Sequence, residues 1–424
     1  MNTFFYPLQK LNGFERAKEC LDTGKTCQVT GCADSQLAHF ITGLSDGYKN
    51  KVIVTFSGTK AKELYEDLKA FDKNVVLYPA KDFIFFSADV HGNVILQQRL
   101  ECIKKLVEDK PCTIVTTADG LMDKIMPLDR IKENVLEISE GSIIEMDAIR
   151  HKLVQMGYEG AEQVESPGQF AIRGSIIDIY TLTDEVPYRI DMWDDEVDII
   201  KSFEVETQRS IENLEKITIY PATDYVLTKE EIRAGIDKIK KDLKKNSEAL
   251  RKQFKTEEAH RLEVIIKEFI DNEEINENGM SFDSYVNYFY DGMVSFIDYL
   301  KDAAFFIDEP KRVDEQMKAV ETEFRDSMSN RLEKGYVLPG QTDIVWSRKT
   351  IESKLDSVKK VLFTSLDQTV KNFTVDEIAS VEAKTISPYN NKFEMLVEDL
   401  KKYKKQKYQV IMVCASLTRA KRLA

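Results

Sequence analysis

Cys27-Gln-Val-Thr-Gly-Cys-Ala-Asp-Ser35 joins a short apolar run to a stretch of helical periodicity. Cys27–Thr30 has the composition of a buried strand, and Ser35–Leu44 spaces its apolar residues as a helix does. A strand that turns into a helix within a few residues is half of a strand–helix–strand unit. The unit recurs outward from there. Lys51–Phe56 predicts a second strand, Thr59–Phe71 a second helix, and Val75–Tyr78 and Cys112–Thr116 two more strands. Such alternation predicts an α/β domain with a parallel sheet covered on both faces.

In a sheet of this kind the first strand-to-helix link is the usual seat of phosphate. The P-loop, G-x-x-x-x-G-K-[ST], uses glycines so that backbone N–H groups can surround the phosphate, and a lysine to reach it. Here Gln28 and Ala33 stand at the glycine positions, Asp34 at the lysine position, and only Ser35 keeps its type. A carboxylate ~4 Å from a phosphate oxygen, at an effective dielectric of ~20, costs on the order of 4 kcal/mol where a lysine would gain as much. The motif is a degenerate P-loop, and no cofactor and no catalytic residue are assigned to it. Gly24-Lys25-Thr26 is a decoy, because it precedes the strand and Glu19 replaces the first glycine. Phe305-Phe-Ile-Asp-Glu309 resembles the strand-plus-Asp-Glu element that holds magnesium in P-loop ATPases. An apolar strand ending in two acids is also common where nothing is bound. Beside the altered loop it reads as a relic.

From residue 128 to 221 strands follow one another: Phe170–Tyr180, Tyr188–Trp193, Val197–Val205 and Lys216–Tyr220, with Met146–Met156 the one helix. This predicts an inserted α+β domain dominated by antiparallel strands. Residues 229–272 read as solvated, charged helices with a narrow apolar seam rather than a nucleic-acid groove. Ala303–Asp308 then resumes the first pattern, so the expected domains are a split α/β domain, 1–127 and 222–340, around the insert 128–221. A small third α/β domain is expected over 350–424: strand Val361–Thr364, helices Thr374–Val381 and Lys392–Tyr403, and strand Gln409–Val413. It stops at RAKRLA without a C-cap signal, which suggests a piece of a longer protein.

A chain of 424 residues exceeds one ordinary core, and 42% hydrophobic content with 22 Phe and 17 Tyr belongs to a folded protein. No run approaches the ~20 apolar residues of a membrane span, and the N-terminus lacks a signal-peptide pattern, so a cytoplasmic protein is expected. The charge of −13 argues against the chain as a whole binding nucleic acid, though not against a local patch. Six cysteines without a C-x2-C pair, and His39, His91, His151 and His260, do not complete zinc spacing. No metal is assigned.

The remaining signal lies in Phe170–Tyr180 and Pro187-Tyr-Arg-Ile-Asp-Met-Trp-Asp-Asp-Glu196. Alternation puts Tyr188, Ile190 and Met192 on a core face and Arg189, Asp191 and Trp193 on the other. Pairing across 181–187 sets Ile179 roughly opposite Arg189 and brings Arg173 near Trp193 and Asp195. Trp and Arg dominate protein interfaces, so Arg173, Arg189 and Trp193 are candidate partner-binding residues. Alternatively, Arg173 stacks on Trp193 or pairs with the acidic turn within one molecule.

The order of these pieces resembles a known family. RGSIIDIY, PYRIDMWDDEVDIIKSFEVETQRS and ITIYPA are similar to domain 2 of the bacterial transcription-repair coupling factors and, more distantly, of UvrB. VTGCADSQLAHFI, YPAKDFIFFSADVHGNVILQQRL, IVTTADGLMDKIMP and SFIDYLKDAAFFIDEP continue the likeness through the split domain. It covers residues ~10 to 340, and the last ~70 residues fit the family's third domain more loosely. The resemblance implies the UvrB-like region, domains 1a, 2, 1b and part or all of 3. It further implies a non-catalytic module whose domain 2 recruits UvrA for nucleotide excision repair at stalled RNA polymerase. The contacts it carries over fall on Arg173, Arg189 and Trp193. RNA polymerase and DNA would be engaged by other regions of a longer protein, an ATP-dependent DNA translocase. The rival reading is a UvrB-type ATPase acting on damaged DNA, against which stand the loop at 28–35 and an Asp82–Arg99 stretch too short for UvrB's DNA-gripping hairpin. A third reading is a scaffold that restrains the motors.

Overall fold

The computed structural model describes residues 5–11, 13–81, 89–275, 283–383, 386, 388–390, 392–412, 414 and 416–423; the side chains of 35, 89–93 and 272–275 lie outside the description. In chain order the first strands are β1 (Cys27–Thr30), β2 (Asn50–Thr55), β3 (Val75–Tyr78) and β4 (Cys112–Thr117). The middle of the chain adds β5 (Leu136–Ser139), β6 (Glu159–Gly160), β7 (Gln169–Arg173), β8 (Ile176–Ile179), β9 (Tyr188–Trp193), β10 (Glu196–Phe203), β11 (Ser210–Leu214) and β12 (Lys216–Ile219). The last are β13 (Ala304–Asp308), β14 (Lys360–Thr364) and β15 (Glu377–Ser380).

Seven strands form one parallel sheet in the order β15-β1-β14-β13-β2-β4-β3. Runs such as Val52-Ile53-Val54 and Phe305-Phe306-Ile307 are buried throughout, as a sheet covered on both sides requires. Alternate residues serve different cores. Val52, Val54, Phe305 and Ile307 face one cluster; Ile53, Phe306 and Phe363 face the other with Leu37, Phe40 and Ile41 of the helix Asp34–Leu44.

The insert is a six-stranded sheet, β11-β10-β9-β8-β7-β6, antiparallel except between β6 and β7, with a small β12-β5 pair beside it. Its apolar face, Ile177, Ile179, Ile190, Met192 and Ile200, is continuous with one core of the large sheet. The fold is therefore the expected split α/β frame with an antiparallel insert. Arg99, wholly buried, ties the frame together across the insertion by hydrogen bonds to Asp123 at 2.5 Å and Asp224 at 3.3 Å. Lys81 extends this network to Asp224 at 2.8 Å and Asp283 at 2.5 Å.

The charged stretch after the insert is two helices, Lys229–Lys252 and Thr256–Ile275, and the first opens with a Thr228/Glu231 capping box. They share a third cluster through Ile239, Leu243, Leu262 and Ile266, with Phe289 packed in from the next segment.

Three expectations for the end of the chain need correction. The strand at Val361–Thr364, expected to open a third domain, is β14, and it lies between β13 and β1 in the large sheet. Its side chains are all buried because Leu362 and Phe363 complete cores already built on the two faces. The helix expected over Thr374–Val381 is instead β15, which pairs with β1. Residues 409–412 join no ladder, and Val413 lies outside the described residues. The helix Phe393–Lys405 is present where Lys392–Tyr403 was expected and buries none of its side chains.

Candidate protein-docking site

Phe170–Tyr180 is not one strand. It folds back at Gly174-Ser175 into β7 and β8, pairing Arg173 with Ile176 and Phe170 with Ile179. Gly174 adopts φ +61°, the left-handed conformation that a tight reversal demands and glycine accepts at least cost. Across the next turn the register places Asp178 opposite Arg189 and Ile179 opposite Tyr188. The expected pairing of Ile179 with Arg189 is thus off by one residue. The reason is apolar: only the observed register stacks Ile177 on Ile190 inside the core, and a slip of one would set the core-facing residues of one strand against the outward-facing residues of the other.

The outer face is consequently built on Asp178, which sequence reasoning did not single out. Its carboxylate is 0% exposed and accepts three hydrogen bonds: from Arg173 Nη2 at 2.6 Å, Arg189 Nε at 2.7 Å and Arg189 Nη2 at 2.9 Å. Arg189 also donates to the backbone oxygen and side-chain oxygen of Gln208 and lies 4.3 Å over the Phe203 ring. Its side chain is 16% exposed, so the guanidinium is held within the domain. Arg173 makes one of these bonds and its side chain is 42% exposed. The available signal was a lone acid in the isoleucine run Ile176-Ile177-Asp178-Ile179, a polar group that burial would oblige to find cationic partners.

Trp193 ends β9 with 77% of its surface exposed. Tyr188, Ile190 and Met192 face the interior side as alternation predicted, with Ile190 and Met192 buried. Among the described residues no cation lies over the indole; Arg173 pairs with Asp178 instead of stacking there. Asp191 is joined to Lys201 at 2.6 Å. The turn after Trp193 is acidic, and Asp194 takes φ +57°, a conformation aspartate tolerates better than most residues. Arg173 and Trp193 thus present a partly exposed cation and an exposed aromatic ring on one sheet face, with Arg189 bracing the carboxylate beneath.

The link between β1 and its helix differs in geometry from a P-loop. β1 takes up Gln28 to Thr30, three of the six motif positions that precede the lysine position, leaving only Gly31–Ala33 as the link to the helix at Asp34. Gln28 is buried and donates to Thr364 Oγ1 at 3.1 Å and to the Gln368 carbonyl at 2.8 Å. Gly31 has φ +78°, and a Cβ there would lie 2.4 Å from the Val381 carbonyl oxygen. The segment after β15 therefore closes against the link. Asp34 is exposed at the first turn of its helix, where a carboxylate suits the dipole, and Lys60 Nζ lies 3.5 Å away. The side chain of Ser35 lies outside the described residues, as do residues 82–88, on which the judgement about the missing hairpin rests. Asp308 accepts from Thr55 Oγ1 at 3.1 Å. Burial pushes its carboxyl up to about 6, against the opposing pull of Lys60.

Residues 136–225 match the family model of the UvrB interaction domain, a span that takes in Arg173, Asp178, Arg189 and Trp193. The molecule is thus a helicase-like α/β frame carrying a UvrB interaction domain. Along 93% of its length it is similar to the transcription-repair-coupling factors, and it matches their N-terminal, UvrB-like region. It is 28% identical to that of Bacillus subtilis (strain 168) over 401 residues, which make up 34% of that protein. It is 27% identical over 400 residues to that of Staphylococcus epidermidis (strain ATCC 35984), and 26% over 402 residues to that of Staphylococcus aureus (strain Mu50), covering 33% and 34% of those proteins. The chain spans about a third of the length of the curated relatives it matches. No helix among the described residues is long and apolar enough to cross a membrane.

Proposed function

We propose that this chain is a non-catalytic docking module of transcription-coupled repair, which recruits UvrA through the outer face of its six-stranded sheet. The observation that carries the reading is Trp193, three-quarters exposed on the same sheet face as a guanidinium pair organised on Asp178, inside the span that matches the UvrB interaction domain. An exposed flat apolar side chain and an accessible arginine on one sheet face have the composition of an interface hot spot. Arg173 and Trp193 would touch the partner directly, and Arg189 would act by fixing Asp178. RNA polymerase and DNA would be engaged by other parts of a longer, ATP-driven protein. The test is capture of UvrA by the whole chain, with Trp193→Ala as the comparison. Retained capture by the variant would defeat the site.

A UvrB-type ATPase is the competing reading, and the buried Asp308 at the end of β13 favours it. The three-residue link, the carboxylate of Asp34 and the seal by Val381 weigh against it. Equilibrium binding of a fluorescent ATP analogue separates the two, since saturable binding near Asp34 would favour the enzyme.

A further inference from the structure

The sheet face that carries Trp193 has a second exposed apolar side chain, contributed by a segment outside the β7–β10 hairpins. Residues 141–144 run alongside the start of β10: Gly141 N donates to Val197 O at 2.8 Å, Val197 N to Ser142 O at 2.9 Å, and Ile144 N to Asp195 O at 2.8 Å. Ile143 forms an antiparallel bridge with Glu196, and Glu196 is itself paired with Trp193. Residues paired across strands project from the same face. Ile143, Glu196 and Trp193 therefore form one transverse row, with the two apolar ends ~10 Å apart at the spacing of two strands.

Ile143 is 75% exposed, nearly as much as Trp193. Isolated exposed apolar residues need no explanation, but here two of them stand in one row on one face, on either side of a single acid. Asp194, Asp195 and Glu196 have no ion-pair partner among the described residues, so the middle of the row is an uncompensated negative charge.

We infer that Ile143 and Trp193 together grip the partner as a pair of apolar knobs, with Glu196 between them selecting a lysine or arginine. The complementary surface is an apolar strip interrupted by one basic group. Its continuity with the Trp193 face makes the occupant the same partner, so the inference rests on the UvrA reading.

Affinity of the intact chain for UvrA, measured for Ile143→Ala, Ile143→Asp, Glu196→Lys and Trp193→Ala, tests it. Both Ile143 variants should bind at least tenfold more weakly, and Glu196→Lys should lose more affinity at low salt than at high salt. Because Ile143 is exposed, thermal melting should be unchanged, which separates lost docking from lost folding. If Trp193→Ala abolishes binding while both Ile143 variants bind as the parent does, the second anchor is wrong and the UvrA reading stands. If Trp193→Ala also binds normally, the reading and the inference fall together.

Discussion

Arg189 and Asp178 face each other across β8 and β9, and the guanidinium grips the carboxylate at 2.7 and 2.9 Å. Asp178 is completely buried, so the pair is a structural commitment of the domain as well as part of its outer face. Breaking a buried pair costs about 3–5 kcal/mol where the charge left behind loses most of its partners, and without Arg189 the Asp178 carboxylate keeps only its single bond from the partly exposed Arg173. Arg189→Ala and Asp178→Ala should each lower stability by about that much in urea unfolding. Arg173→Ala, at the exposed corner, should cost less than about 1 kcal/mol. Equal losses for both arginines would contradict the division of labour drawn between them.

Trp193 buries little within the chain, so its removal should be silent in folding and audible in binding. Trp193→Ala is expected to leave the melting temperature within experimental error and to weaken UvrA binding by about 2 kcal/mol or more. Calorimetric titration against UvrA measures this directly. A melting temperature lowered by several degrees would mean the indole supports the fold.

Asp308 gives a prediction in pH. Burial raises its carboxyl to about 6 in the folded protein, against ~3.9 for an unfolded aspartate. The folded state therefore holds that proton more tightly, and keeping the group charged costs stability as pH rises from about 4 through about 6. Asp308→Asn removes the cost and can still bond to Thr55. The variant should be more stable than the parent by up to about 3 kcal/mol at pH 8, with the difference vanishing near pH 4. A difference that does not change across that range would show that the carboxyl does not titrate there.

For nucleotide, the expectation is no ATP turnover above blank by the chain, and no turnover created by Asp34→Lys alone. Restoring the cation leaves the link three residues long and closed by Val381. Phosphate release by the purified chain that disappears in Asp308→Asn would overturn this.

The sequence alone determined the alternating frame, because strands buried on both faces of a parallel sheet are written as unbroken apolar runs such as Val52–Val54 and Phe305–Ile307. It also determined which side of β9 faces the core, since alternation is a local rule, and which residue types the phosphate loop lacks. The tertiary structure alone decided the register that joins Asp178 to Arg189. Gly174-Ser175 turns inside what reads as one continuous strand, and a shift of one residue exchanges the two faces. It also decided that Lys360–Thr364 inserts between β1 and β13, and that Ile143 stands in line with Trp193. Such neighbours are distant in the chain, and a strand's own pattern records that it is buried but not beside what.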